Sequence, residues 1–230
     1  MSYHIVSAFS EDLERLSADI LRMGGLAESM IVDACRAVST GDRTLAAQTV
    51  EHDAELDQME VDIERRIVRL LALRHPMAAD LRLVVAALKV SSDLERIGDL
   101  SKNIAKRTSE LDGNDMSSSL KGIQRMGRAV CAQLHAVLDA YSDGDAAAAL
   151  RVWTGDEDID QHYNSLFREV VTYMMEDPRR IGSGAHMMFI AKNLERIGDH
   201  CTNIAEVVHY QVTGDNLSAN TRPRAPLLEP

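Results

Sequence analysis

The sequence predicts an all-α protein built as two repeated antiparallel three-helix bundles, six long helices related by a pseudo-twofold axis. Three observations carry that expectation. Leu94-Glu95-Arg96-Ile97-Gly98-Asp99-Leu100-Ser101-Lys102-Asn103-Ile104-Ala105 returns 100 residues later as Leu194-Glu195-Arg196-Ile197-Gly198-Asp199-His200-Cys201-Thr202-Asn203-Ile204-Ala205, and the frame L-E-R-I-G-D-x-x-x-N-I-A is identical in nine positions. Apolar residues recur in steps of three and four over long stretches, the helical period, and no segment sustains the period-two alternation of a strand. The composition, 45% hydrophobic but only 4% aromatic with 11 Met, suits helices.

Ser10 is placed to cap the first helix, with Glu11 and Asp12 in the favoured first turn. Leu13, Leu16, Ile20, Met23, Ala27, Met30, Ala34 and Ala37 then form one seam to about Ser39. Gly24 and Gly25 lie inside it. They either weaken the helix or let a neighbouring helix approach closely, and the sequence leaves both readings open. Gly41-Asp42 breaks the chain before a second helix, marked by Leu56, Met59, Ile63, Ile67 and Leu70 and running to about Leu73. His75-Pro76 ends it, because the residue before a proline avoids the α region. The third helix runs from about Ala78 to about Leu111, with Asp80 to cap or orient its start, and carries the first signature.

Asp112-Gly113-Asn114-Asp115 is a turn cluster that separates the units. Beyond it Ile123, Met126, Val130, Val137 and Ala140 repeat Ile20, Met23, Ala27, Ala34 and Ala37 at an offset of 103, on a fourth helix capped by Ser118 or Ser119. Gly144-Asp145 repeats Gly41-Asp42, and Ile159, Leu166 and Val170 repeat Leu56, Ile63 and Ile67 on the fifth helix, which Asp177-Pro178 ends. The sixth, from about Ser183 to Thr213, holds the second signature and stops at Gly214. The expected divisions are a first repeat over 1–112, a second over 113–214, and a disordered tail over 215–230 with prolines at 223, 226 and 230.

On a helical wheel Leu94, Ile97, Ser101 and Ile104 share the inward side, while Glu95, Asp99 and Asn103 follow an i, i+4, i+8 line on the opposite one. Glu195, Asp199 and Asn203 do the same in the second copy. Asp53 and Asp57, with Glu60 and Glu64, add an acidic stripe on the second helix. Asp156 and Asp160 repeat the first two, but Tyr163 and Phe167 replace the glutamates. A face that only had to be soluble could have used any charged residues. Oxygen donors one turn apart, at the same places in both halves, suit hard or borderline cations. The expected metal ligands are therefore Glu95, Asp99, Asn103, Glu195, Asp199, Asn203, Asp53, Asp57, Asp156 and Asp160, for a divalent or trivalent ion such as Mg, Mn, Ca, Fe or Zn. His200 has only Leu100 as its counterpart, so it is either a nitrogen ligand of one half or a spectator.

Catalysis is not expected. There is no P-loop, Gly-rich phosphate cradle or nucleophile-and-base constellation. A carboxylate-bridged di-metal bundle enzyme needs two inward E-x-x-H motifs. Glu206-Val207-Val208-His209 is one, on the outward side, and Lys106 and Ser109 cannot reproduce it. A metal buffer remains an alternative. The net charge of −11 without a basic run argues against nucleic acid and anionic membranes as partners. Cys35, Cys131 and Cys201 form neither a disulfide framework nor a zinc ribbon and suit a reducing cytosol. Glu11, Asp12 and Glu14 interrupt any apolar signal segment, and no run approaches the roughly 18 apolar residues of a membrane span. A cytoplasmic protein without membrane insertion is expected.

With a pair of three-helix repeats each ending in L-E-R-I-G-D, the chain resembles the PhoU family of bacterial phosphate-signalling regulators. Met23-Gly24-Gly25, Met59-Glu60, Asp80-Leu81-Arg82-Leu83, both signatures and Thr172-Tyr173-Met174-Met175-Glu176-Asp177 carry the resemblance over nearly the whole length. It implies a cytoplasmic negative regulator of the phosphate-starvation response, an adaptor between the ATPase subunit of a high-affinity phosphate ABC transporter and a membrane sensor histidine kinase. It also implies a homodimer, and metal at the E-x-x-x-D motifs Glu95/Asp99 and Glu195/Asp199, often in multinuclear clusters. Arg82, Arg96 and Arg196 are the candidate partner contacts.

Overall fold

The computed structural model of the protein describes the backbone of residues 2–111, 117–155 and 157–217. Among these residues seven α-helices follow in order: α1 (Ser2–Thr40), α2 (Arg43–Arg74), α3 (Ala79–Lys106), α4 (Ser117–Asp143), α5 (Ala146–Thr154), α6 (Glu157–Glu176) and α7 (Ile181–Thr213). Among the described residues there is no strand, and no helix long and apolar enough to cross a membrane. The expected fifth helix is present but interrupted at Gly155, whose N–H bonds to the carbonyls of Arg151 and Val152 and closes α5. The turn cluster at 112–115, Asp156 and the tail from 218 lie outside the described residues.

The repeated Gly-Asp pairs end one helix and start the next. Gly41 and Gly144 take positive φ of 68° and 62°, the left-handed conformation that glycine enters without a Cβ clash. The following aspartate N–H then reaches back to the last turn, Asp42 to Ala37 O and Asp145 to Ala140 O, each at 3.0 Å. The same aspartate caps the new helix. Asp42 accepts from Thr44 N and Leu45 N at 3.0 Å, and Asp145 from Ala147 N and Ala148 N at 2.9 Å, which satisfies two otherwise orphaned donors.

Three expected caps are different. Ser10 lies well inside α1, because Phe9 just before it already packs on the core and the helix carries on to Ser2. Ser119 is buried within α4, and its hydroxyl donates to Glu169 Oε1 at 3.1 Å. Asp80 sits in the first turn of α3, whose N-cap position is Ala78 and makes no side-chain cap. The third helix also tightens early, since Arg107–Glu110 form a 3-10 turn.

The two signature helices are the central pair. α3 packs on α1, α2 and α7, and α7 packs on α3, α4, α5 and α6. Their contacts run in opposite senses, Arg82 meeting Gln211, Asp93 meeting His200 and Arg107 meeting His186. Leu94, Ile97, Ile104, Leu194, Ile197 and Ile204 are all fully buried, so one apolar core runs through both repeats. Cys35 and Cys201 are buried, and burial pushes the Cys35 thiol up to about 12, a packing residue and not a nucleophile.

The structure decides between the two readings of Gly24-Gly25. A Cβ on Gly24 would lie 2.6 Å from Leu138 Cδ1 and 3.2 Å from its branch carbon, so this glycine is where α4 comes close to α1. Gly25 is exposed with nothing within 4 Å of a Cβ. Gly25→Ala should therefore stabilise the fold by about 0.5–1 kcal/mol through helix propensity. Gly24→Ala should destabilise it by about 1 kcal/mol or more, because overpacking a well-filled contact exceeds that gain. Urea unfolding followed by circular dichroism checks both; equal shifts of the two midpoints would contradict the assignment.

Candidate functional site

In the first repeat the acidic stripe of α2 meets the signature of α3. Lys102 Nζ bridges them, 2.5 Å from Asp53 Oδ2 and 2.5 Å from Asp99 Oδ1. Asp53 is buried, and its Oδ1 has no hydrogen-bond partner among the described residues. Glu95 is more enclosed than the helical wheel suggests, its side chain only 17% exposed. A wheel with one apolar stripe assigns one packing face, whereas α3 has three helical neighbours, and α2 closes over part of the face expected to be open. Asn103 alone of the three stays exposed.

This packing brings like charges together. Burial, then Asp99, holds the Glu95 carboxyl above its ordinary range, and Arg96 only partly offsets them. Burial, then Glu95, does the same to Glu60, and burial, then Asp53, to Asp57. A folded-state pKa above the unfolded value means that the fold holds those protons more tightly. The associated stability is present at low pH and is lost as pH rises through the raised values. At neutral pH the ionised cluster is thus a cost, which a cation would relieve. Glu95→Gln should stabilise the metal-free protein at pH 7 by about 0.2–1 kcal/mol, the scale of partly exposed charge pairs. The advantage should shrink as pH falls into the ordinary carboxylate range, as thermal unfolding against pH would show.

The second repeat is built differently. Glu195 is 15% exposed and paired with Lys192 Nζ at 2.5 Å, a lysine that precedes the signature, whereas Lys102 lies within it. Lys192 also stands 5.6 Å above the Tyr163 ring, and Tyr163 packs against Phe167 with centroids 6.2 Å apart. The aromatic pair occupies the place of two carboxylates and seats the lysine by cation–π attraction. Asp199 is exposed and Asp160 half-buried. Asp156, an expected ligand, lies outside the described residues. Among the described residues no three Asp, Glu, His or Cys side chains are gathered closely enough to hold a metal ion. In the first repeat the residue between the facing acids is Lys102.

Other expected site residues stabilise the seam between repeats. His200 Nδ1 lies 2.8 Å from Asp93 Oδ1, and Asn203 Nδ2 donates to the same oxygen at 3.4 Å. Both point at α3, away from a second-repeat ligand set. Arg82 Nε donates to Gln211 O in the last turn of α7 at 3.2 Å, where a cation suits the helix C-terminus. Glu206 accepts from Trp153 Nε1 at 2.8 Å, and His209 Nδ1 lies 3.1 Å from Asp215 O, so the lone E-x-x-H is spent on packing and on the helix end. Arg96 remains outside, 60% exposed and 3.5 and 3.6 Å from Glu95 and Asp99. Arg196 is exposed at the equivalent place. Lys102, Lys192 and Asp93 were not singled out from sequence. Lys102 was legible as a cation one turn from Asp99, but Asp93 gains its role only from the antiparallel contact.

The comparisons with known proteins agree with this architecture. The family model described as "PhoU domain" matches twice, over 20–108 and 123–208. A Caulobacter vibrioides protein named "Phosphate-specific transport system accessory protein PhoU homolog" is 49% identical over 229 residues, covering 99% of each chain. The Escherichia coli protein named "Phosphate-specific transport system accessory protein PhoU" is 38% identical over 216 residues, 94% of this chain and 90% of that one. Among solved structures, PhoU from Pseudomonas aeruginosa superposes with a TM-score of 0.86 at 40% identity, covering 90% of this chain and 100% of the other. The phosphate transport system regulatory protein PhoU from Streptococcus pneumoniae gives 0.85 at 31% identity, over 91% and 99%. With two family domains on a helical fold shared from end to end, the chain belongs to the PhoU family.

Proposed function

We propose that this chain is a non-catalytic accessory protein of a phosphate-specific transport system, a cytoplasmic negative regulator that connects the ATPase subunit of the transporter to a sensor histidine kinase. The observation that carries the reading is the 49% identity, over 99% of both chains, to a relative bearing the accessory-protein name. A rigid duplicated helical body suits an adaptor, because its two repeats offer related but unequal faces to two partners. The first repeat presents the strained carboxylate ledge of Asp53, Asp57, Glu60, Glu95 and Asp99. The second presents Lys192 seated on the Tyr163 ring.

The ledge is also the proposed cation site, once Lys102 has left Asp53 and Asp99 and the acids, too far apart as they stand, have drawn together. Its carboxylates, and the buried Oδ1 of Asp53, are the hard oxygen donors that Mg, Mn or another hard ion takes. Bound there, a cation would neutralise the cluster, with Lys102 displaced from Asp53 and Asp99. Homodimer formation belongs to the same proposal.

The test is a pull-down of the native protein from phosphate-replete and phosphate-starved cells, with metal content measured in parallel. Wild type is compared with a Glu95→Gln, Asp99→Asn, Glu195→Gln, Asp199→Asn variant. Recovery of transporter ATPase or kinase with wild type, and its loss together with metal in the variant, is the expected result. Metal loss without either partner ever appearing would overturn the adaptor reading in favour of a metal buffer. A deletion strain that still represses phosphate-starvation genes in rich phosphate would remove the negative regulation.

A further inference from the structure

The carboxylate ledge does not exhaust the charged surface. At the far end of the first bundle, where the start of α1 meets the end of α2, a groove of about 400 Å³ is lined by Arg15, Arg65, Arg66, Arg69 and Arg74 together with Asp12, the buried Leu70 and the exposed Leu73. On a chain of net charge −11, five arginines lining one cavity are out of proportion to the surface around them. The volume is within the usual range for a small-molecule site.

Part of this cluster has a structural explanation. Arg74 bonds Asp12 Oδ2 through Nη2 at 3.0 Å and Nε at 3.2 Å, and it sits in the last turn of α2 where a cation is favoured. Arg66 pairs with Asp19 at 3.0 Å. The remaining three are not consumed in this way. Among the described residues Arg15 reaches only Glu11, at 3.5 Å with both side chains mostly exposed, and Arg65 reaches Asp62 at 3.2 Å while 73% exposed. Arg69 makes no ion pair among the described residues. Pairs of that kind add little to stability, so the fold does not need three arginines here.

The duplication supplies an internal control. At the offset of 103 that relates the first two helices of each repeat, Arg15, Arg65, Arg66, Arg69 and Arg74 correspond to Ser118, Arg168, Glu169, Thr172 and Asp177. One arginine of five is repeated. The second bundle forms the same helix pair without the others, and there Ser119 and Glu169 hydrogen-bond to each other. The basic groove is therefore an addition to the first repeat and not a requirement of the fold.

We infer that this groove is a binding site for a phosphoanion carrying several linked phosphoryl groups, such as an inorganic phosphate chain or the triphosphate of a nucleotide. Guanidinium forks match phosphoryl oxygens two bonds at a time, and each arginine has donors beyond those its carboxylate partner uses. Arginine at all five positions, with no lysine, fits that bidentate geometry. The volume of the cavity and the five arginines along it favour a chain of phosphoryl groups over a single one. The inference goes beyond the accessory role and does not depend on it, since the purified chain alone suffices to test it.

The experiment is isothermal titration of the purified full chain with sodium tripolyphosphate. Parallel titrations use orthophosphate, ATP without divalent metal, and a poly-glutamate peptide. Saturable binding of about one tripolyphosphate per chain, weakened by salt and stronger than orthophosphate or poly-glutamate, is expected. Comparable binding of ATP would extend the site to nucleotides, and its absence would assign the inorganic chain. Arg15→Gln, Arg65→Gln, Arg69→Gln together should weaken binding at least about tenfold, the scale of one lost charged hydrogen bond. The circular dichroism spectrum should be unchanged, because these side chains are at the surface. Arg168→Gln, at the one repeated arginine of the second repeat, should change nothing. No binding of tripolyphosphate, or binding that the triple variant retains, would overturn the proposal. Tighter binding of poly-glutamate would overturn it in favour of an acidic protein partner.

Discussion

Trp153→Ala should lower the unfolding free energy by about 3–5 kcal/mol, the range for truncating a fully buried tryptophan. Trp153 is 1% exposed, and its Nε1 donates to Glu206 Oε1 at 2.8 Å. It is carried by α5, a nine-residue helix, too short to be stable alone in water. The ring is the largest of the three side chains, with Ala149 and Val152, that α5 buries against its neighbours. The loss should therefore fall unevenly, with α5 amides exchanging early while α3 stays protected. Trp153→Phe should recover a large share by keeping an aromatic body in the cavity. Urea unfolding followed by circular dichroism measures all three proteins, since the chain has no other tryptophan to report by fluorescence. A loss below about 1 kcal/mol for the alanine variant would mean that the site collapses without cost, contrary to its burial.

Lys102→Met should have the second largest effect, about 1–3 kcal/mol at neutral pH, the cost of leaving charged hydrogen-bond partners unsatisfied. A fully enclosed pair would lose more. Here the Lys102 and Asp99 side chains are 20% and 32% exposed, and water moderates the loss. Burial is the largest single influence on the Lys102 ammonium and would lower its pKa. Its hydrogen bonds to Asp53 and Asp99 together reverse that and hold it well above the ordinary lysine value. For a group raised in this way the stabilisation is complete below the unfolded-state pKa and is lost only above it. The ammonium therefore contributes across the whole physiological range. In the variant the acids face one another unscreened, so its stability should recover as pH falls towards the carboxylate range. It should also bind Mn²⁺ or Mg²⁺ more tightly than wild type, because the competing internal cation is gone. At an ion concentration of 100 times Kd, thermal unfolding should register about 2.7 kcal/mol of added stability. A variant that neither responds to acid nor gains from the ion would show that Lys102 does not occupy the cation position of this cluster.

These two residues differ in how far the sequence announced them. Lys102 stands in the signature, but Trp153 belongs to no motif, and only the packing of α5 on α7 gives it its role. The wheel placed Glu95 and Asp99 correctly on the side away from Leu94 and Ile97. It could not register that α2 covers that side, which turns three carboxylates into groups with raised pKa. Arg82, Asn203 and His200 carried their chemistry visibly, but the contacts they make lie more than a hundred residues away in sequence. The arginine groove was hidden for the same reason. Arg65 to Arg74 are interleaved with apolar residues alone, as on any amphipathic helix, and Arg15 joins them only when α1 lies beside α2.

The sequence by itself determined the helices, the Gly-Asp turns, the apolar seams and the duplication, because each depends on residues within a few turns of one another: backbone conformation, capping and period are local. What the tertiary structure decided is the fate of the polar groups. Whether a carboxylate faces water, another carboxylate, Lys102 or a tryptophan N–H depends on which helix passes over it, and so do its protonation and its affinity for a cation. The two repeats share the first kind of information almost completely and differ in the second, which is why one fold carries two unlike faces.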